Sequence, residues 1–247
     1  MKFICPKCGM ADEVIGDSAP HCILCQALLI KAAASYTGLW MSPSVAIRRF
    51  EAVIAKYGLD RATTGRLKQE REAWIAAVWA LGLRQLNGKE YWVELETRDL
   101  TPDAKVHFID QGAGYNKVLT HSVEIVEWDE HRADIAKLIQ QKCQKAYPPY
   151  FSLVVLARNG DNIEIERLLE RIATLSVPFS EMWIVGRRSG FSYVSFMIYP
   201  GTKLIEFDLF EALRGAARQV DFLHRQKRGR GTEFEDLGLT YLPLPQL

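Results

Sequence analysis

The sequence predicts an α/β protein in which a small cysteine-rich N-terminal module precedes a core with a mixed central sheet flanked by helices. Three observations predict it. Four cysteines crowd into the first 25 residues. Hydrophobic periodicity switches from helical to alternating near residue 90, and returns to helical near residue 134. The apolar run Phe151-Ser152-Leu153-Val154-Val155-Leu156-Ala157 has the character of a strand buried on both faces.

Composition narrows the class. The chain has 247 residues, of which 48% are hydrophobic and 25% charged, and its formal net charge is +1. That apolar content is too high for a disordered chain, and the near-neutral balance excludes a histone-like polycation. No apolar run approaches the roughly 20 residues that cross a bilayer. The opening Met1-Lys2-Phe3-Ile4-Cys5 lacks the apolar region of a secretory signal. The expectation is a soluble, cytoplasmic protein with no membrane partner.

The cysteines carry the most specific signal. Cys5-Pro6-Lys7-Cys8 is followed, after thirteen residues, by Cys22-Ile23-Leu24-Cys25. Two C-x-x-C pairs at this separation suit a structural Zn²⁺ site. Each pair sets two thiolates on one tight turn, and two turns facing each other complete a tetrahedron. Gly9 lets the backbone curl so that amides approach the sulfurs. His21, beside Cys22, is an alternative fourth ligand. Two disulfides are disfavoured in a reducing compartment, and neither pair sits in a thioredoxin-type βαβ context. The segment resembles the zinc ribbon group. Such modules bind nucleic acid or protein, so the resemblance implies a partner contact through the ribbon without naming an activity.

The remaining elements follow in order. Ser42-Pro43-Ser44 reads as a helix start, and 45–57 continues as a helix that Gly58 stops. Thr63-Thr64-Gly65 is a second break. Leu67, Trp74, Ile75, Val78 and Leu81 form one stripe of a helix over 67–86, closed by the turn signal Asn87-Gly88. Strands are expected at 91–96, 104–109 and 118–128, with a turn at 111–114. A helix is expected over 134–147, ending at Pro148-Pro149, then the buried strand at 151–157. A helix over 163–175, strands at 182–185 and 193–198, and a helix over 207–220 complete the core. The division expected is a ribbon at 1–34, a helical connector at 35–66, an α/β domain at 67–212 and a basic extension at 213–247.

Within the α/β domain the acids and one lysine fall at suggestive places. Thr101-Pro102-Asp103 opens a strand, and Glu124 lies on its hairpin partner. On the next helix, at about 100° per residue, Ile135, Leu138, Ile139 and Ala146 point one way and Lys142 falls amid them. A lysine in an apolar stripe is costly to bury unless its ammonium meets a carboxylate. This layout resembles the PD-(D/E)xK nucleases, the restriction-endonuclease-like group, over roughly residues 67–205. The resemblance implies that Asp103 is the acid of PD, Glu124 the acid of the second motif, and Glu70 the acid of the early helix. It implies Mg²⁺ held by Asp103 and Glu124, and hydrolysis of phosphodiester bonds, in DNA more than RNA, of the kind found in prokaryotic defence or mobile elements. Val126 stands where that motif carries lysine, on the same side of the strand as Glu124. Lys142 is the replacement expected, with Glu124 as its partner. Glu94, Glu96 and Glu127 are the alternatives if the register shifts by one. A catalytically degenerate module of the same fold, binding nucleic acid or assembling with a protein, is the competing expectation.

Two basic segments are candidates for phosphate contact. One is His224-Arg225-Gln226-Lys227-Arg228-Gly229-Arg230-Gly231, which puts Arg225, Lys227, Arg228 and Arg230 together. The other is the turn at Arg187-Arg188.

Overall fold

The computed structural model of the protein describes residues 2–4, 11–13, 30–31, 40–62, 67–95, 102–112, 115–129, 134–148, 150–157, 163–214 and 239–243. At the N-terminus, β1 (Lys2–Ile4), β2 (Ala11–Glu13) and β3 (Ile30–Lys31) form an antiparallel sheet in the order β2-β1-β3. Ile4 pairs with Ala11 on one side and Ile30 on the other. The register therefore aligns the residue before Cys5 with one that follows the Cys22–Cys25 pair. The four cysteines expected to bind zinc, with His21, lie outside the described residues.

Next come β4 (Trp40–Met41), α1 (Pro43–Tyr57), α2 (Leu59–Ala62) and α3 (Lys68–Asn87). The start of α1 is chemically specified. Ser42 Oγ accepts from Val45 N at 3.3 Å and Pro43 occupies the first turn, where its missing N–H costs nothing. Gly58, at φ +79°, ends it. The sheet then runs through β5 (Tyr91–Leu95), β6 (Ala104–Gly112) and β7 (Tyr115–Trp128). After α4 (Ile135–Cys143) come β8 (Phe151–Ala157), α5 (Ile165–Ala173), β9 (Glu181–Ser189), β10 (Ser192–Tyr199), β11 (Lys203–Asp208) and β12 (Leu239–Pro243). Seven of these strands, β11-β10-β9-β8-β7-β6-β5, form the body of a mixed sheet, with β4 added at the β5 edge and β12 alongside β7. Strands β5, β6 and β7 form an antiparallel meander, β7, β8 and β9 run parallel, and β9, β10 and β11 are antiparallel again.

Helix α3 lies inside the curl of this sheet. Nearly every residue from Glu70 to Leu83 is buried, where a surface helix would keep a polar face. Ala73, Ala76, Ala77 and Ala80 supply the small side chains that allow close approach all round. Gly82 faces Ser195 of β10 and Phe207 of β11, while Asn87 Nδ2 donates to Tyr91 Oη of β5 at 2.6 Å. Opposite edges of the sheet thus meet the same end of one helix. At the centre, Trp79 packs edge-on to Trp183 of β9 (ring centroids 6.2 Å apart) and to His121 of β7 (5.5 Å). His121 is buried, which pushes its imidazole down to about 4 and keeps it neutral in this apolar nest.

A second core fills the outer face. Val126, Trp128, Phe151, Leu153 and Val155 pack under Ile135, Ala136 and Ile139 of α4 and under Leu168 and Ile172 of α5. Asp134 caps α4, Oδ1 accepting from Ala136 N at 2.8 Å, and its other oxygen accepts from Arg171 of α5 at 2.6 Å. The arginine holds the Asp134 carboxyl below the usual carboxylate range.

Three expectations change. The helix expected over 207–220 starts two residues later, because Phe207 belongs to β11, where Ile205 and Phe207 face inward and Leu204, Glu206 and Asp208 face out. The segment expected as a connector is built into the α/β body over 40–62: β4 pairs with β5, and Met41, Ala46 and Ile47 join the core around α3. Within the basic extension expected at 213–247, Leu242 and Pro243 close β12 against β7. Among the described residues no helix is long and apolar enough to cross a membrane.

Candidate functional site

The chain order α3-β5-β6-β7-α4-β8 sets one end of the central helix, the entry to the middle strand of the meander and the last turn of α4 around a common point. Asp103 stands at that entry. Its N–H donates to Val123 O at 3.0 Å, and its Oδ2 accepts from Ile125 N at 2.7 Å. The carboxylate is thereby fastened to the backbone of β7. Burial pushes the Asp103 carboxyl up and the charge of Glu124 adds to this, while the Ile125 N–H and the ammoniums of Lys68 and Lys142 oppose it.

Glu124 is buried on β7, and Lys142, from the last turn of α4, donates to its Oε1. A helix C-terminus also favours a cation at that turn. Val126, two residues on, is buried against Trp128, Ile135 and Ile139, so the strand itself brings no cation there. Lys142 and Glu124 are thus in direct contact, with Asp103 near enough for both charges to act on its carboxyl.

The acid that α3 contributes is Glu72, where the sequence pointed to Glu70. Glu70 is engaged elsewhere: its two oxygens accept from Arg49 Nε at 3.1 Å and Nη2 at 2.5 Å, in a buried pair, and the same guanidinium reaches Met41 Sδ at 2.8 Å. Two residues on a helix point to nearly opposite sides, and Glu72 is the one turned toward Asp103 and Glu124. Its carboxyl is pushed up to about 6, by burial first and by those two carboxylates in addition, although Lys68 Nζ approaches it at 2.8 Å. No periodicity could have found this residue, because α3 has no polar face against which to phase it.

Tyr147, four residues past α4, also belongs to the cluster. Burial, and the nearby charges of Glu124 and Asp103, push its phenol well above the usual tyrosine range, so it stays protonated. The sequence pattern places Tyr147 at the end of a helix over 134–147 and gives no signal that it lies near these acids.

The alternative acids are bound otherwise. Glu94 accepts from His107 Nε2 at 2.8 Å, and His107 Nδ1 lies 2.8 Å from Thr120 Oγ1, a buried chain across three strands. Glu127 pairs with Arg71 on the α3 face. The side chain of Glu96 lies outside the described residues, as do Arg225, Lys227, Arg228 and Arg230. Arg187 and Arg188 are exposed on the β9–β10 hairpin, where Arg187 Nε donates to Gly190 O at 2.6 Å and Arg188 pairs with Glu206 at 2.5 Å. They are not gathered with the acids: β9 is two strands from β7, and the hairpin points to the opposite end of α3.

Glu72, Asp103 and Glu124 supply hard oxygen donors of the kind that Mg²⁺ takes. The raised carboxyls of Glu72 and Asp103 mark an excess of buried negative charge that a divalent cation would relieve. As they stand, however, no three His, Cys, Asp or Glu side chains among the described residues are grouped to hold a metal ion. Lys142 serves as the countercharge on Glu124 in this arrangement. Comparison with known proteins found no matching family model, no matching curated protein and no matching solved structure.

Proposed function

We propose that the protein is a metal-dependent nuclease that hydrolyses phosphodiester bonds in DNA, built on a restriction-endonuclease-like core with an N-terminal zinc ribbon. The observation that carries this reading is the Lys142 ammonium on Glu124, beside Asp103. A lysine was expected there only if the usual strand lysine had moved to the following helix. The element order α3-β5-β6-β7-α4-β8 supports this reading. A lysine on a buried glutamate beside a buried aspartate is costly in an apolar core unless it forms a polar site.

In this reading Asp103, Glu124 and Glu72 hold Mg²⁺. When bound, the ion supplies charge stabilisation at the scissile phosphate and acidifies water. Lys142 offers its ammonium to the phosphate oxygens as negative charge develops. The Ile125 N–H holds the Asp103 carboxylate in place, so little reorganisation is needed. Cys5, Cys8, Cys22 and Cys25 hold a structural Zn²⁺, and the basic residues at 225–230 bind the nucleic acid backbone.

The test is cleavage of supercoiled plasmid with Mg²⁺ or with EDTA. Asp103→Ala and Lys142→Ala are each expected to lose about 10²-fold or more of the Mg²⁺-dependent rate, the scale at which an electrostatic catalytic group counts. Cleavage unchanged in both variants overturns the assignment. The competing reading, a nuclease fold that only binds, is favoured by Val126 at the motif position. Wild-type protein that binds DNA with a steep salt dependence but never cuts it would establish that reading.

A further inference from the structure

We infer that the buried chain Glu94–His107–Thr120 is a proton-operated switch, in which the protonation state of His107 decides whether the Thr120 hydroxyl offers lone pairs or a hydrogen to its surroundings. The inference is independent of the nuclease reading. Strand register assembles the chain. His107 on β6 stands directly opposite Thr120 on β7, and Glu94 on β5 stands opposite Lys105, two residues before His107. Opposed residues share a face of a sheet, and so do residues two apart on one strand, so all three lie on one face. His107 Nε2 is 2.8 Å from Glu94 Oε2, and Nδ1 is 2.8 Å from Thr120 Oγ1. His107 and Glu94 are buried, whereas Thr120 is only half-buried. One end of the chain is sealed and the other reaches the surface.

The direction of the hydrogen bonds follows from the groups. A carboxylate only accepts, so Nε2 carries the hydrogen that His107 donates to Glu94. The neutral ring then has a bare Nδ1, which only accepts, so the Thr120 hydroxyl donates to it. The hydroxyl hydrogen is spent inward, and the oxygen presents lone pairs elsewhere. A proton taken up by the ring goes to Nδ1, the one nitrogen with a lone pair. Nδ1–H then donates to Thr120 Oγ1, and the hydroxyl hydrogen is freed to turn away. Thr120 changes from acceptor to donor with no heavy atom moved. A polar pair alone would need only Glu94 and His107, and the third member carries the proton state to a residue at the surface. Thr120, Ser122 and Glu124 follow one another along this face of β7.

The surroundings set where the switch operates. Burial pushes the imidazole below the ordinary histidine value of 6.5, Glu94 opposes this, and Lys105, whose Nζ lies 3.9 Å from Glu94 Oε1, adds to it. His121, on the opposite face of β7, is the other titratable group described here, and the two rings oppose each other's charging. His107 is therefore neutral at neutral pH and charges on the acid side.

The test is nuclear magnetic resonance on the full chain, with ¹⁵N in the histidine rings and ¹³C in the threonine methyls. Thr120→Val identifies the His107 ring. At about pH 7 that ring should show a protonated Nε2 and a bare Nδ1. Its Nδ1 signal should move in Thr120→Val and be kept in Thr120→Ser, and its Nε2 signal should move in Glu94→Gln. On acidification Nδ1 should take up a proton with a midpoint below 6.5, and the Thr120 methyl should shift with the same midpoint. Glu94→Gln should weaken that proton's binding by about tenfold or more, the scale of one charge-assisted hydrogen bond. A protonated Nδ1 at neutral pH, no ring that answers to Thr120→Val, or a Thr120 methyl indifferent to the titration overturns the inference. So does a chain that unfolds before His107 takes up its proton, since the folded protein then never switches.

Discussion

Glu72 is buried beside two other carboxylates and holds its proton up to about pH 6. An acid whose pKa rises on folding binds its proton more tightly folded than unfolded. Its contribution to stability is therefore present below the unfolded value of 4.5 and is lost as pH climbs through about 6. At about 1.4 kcal/mol per unit, the full loss is about 2 kcal/mol. Glu72→Gln should thus be more stable than wild type at pH 8 by about 1–2 kcal/mol, and nearly equal to it at pH 4.5, as read by urea denaturation. The Arg49–Glu70 pair predicts the opposite kind of result. Glu70→Ala strands a buried guanidinium and should cost about 3–5 kcal/mol, whereas Arg49→Met with Glu70→Leu should cost much less. Lys142 was legible in the sequence because a charge in an apolar stripe contradicts its surroundings. Glu72 and Glu70 were not, since both are buried and only the rotation of α3 separates a site residue from a structural one.

At the level of elements, α3 is the piece on which the fold turns. Glycine inside a helix costs about 1 kcal/mol relative to alanine, so Gly82→Ala would be stabilising on an exposed helix. Here a Cβ would sit 2.6 Å from Ser195 Oγ, 3.0 Å from Ser195 Cβ and 3.3 Å from a Phe207 ring carbon. Gly82→Ala should therefore destabilise by about 1–3 kcal/mol, and adding Ser195→Gly should restore part of the loss, measured as Tm. Element ends were legible wherever a local chemical signal exists: Ser42 and Pro43 open α1, Gly58 closes it, and Pro148 follows α4. The meander and the buried β8 were equally legible from alternation and from a short apolar run. The curl of the sheet was not. Periodicity reports whether one side of a helix is covered, and α3 is covered on all sides by strands distant in sequence.

At the scale of the whole molecule, two sheets of different size stand in one chain, and they should respond differently to chelation. On the zinc-ribbon proposal, a module of about 30 residues could not fold by burial alone and would need its metal. Purified protein is expected to carry one zinc per chain by elemental analysis, and Cys22→Ser should lose it while the far-ultraviolet circular dichroism of the larger sheet persists. Loss of all secondary structure on zinc removal would show the two parts to be one cooperative unit. The larger sheet has its own dependence on a distant part of the chain. One flank of β7 is shared, β8 covering Ser122 to Trp128 and β12 covering Asn116 to Thr120. During translation every other strand of that sheet is synthesised before Leu239 is made. Until then a nascent chain presents the bare amides and carbonyls of β7 to its neighbours, an open template for pairing between copies. Premature termination before Leu239 would make that interval permanent, so such fragments should accumulate as aggregates.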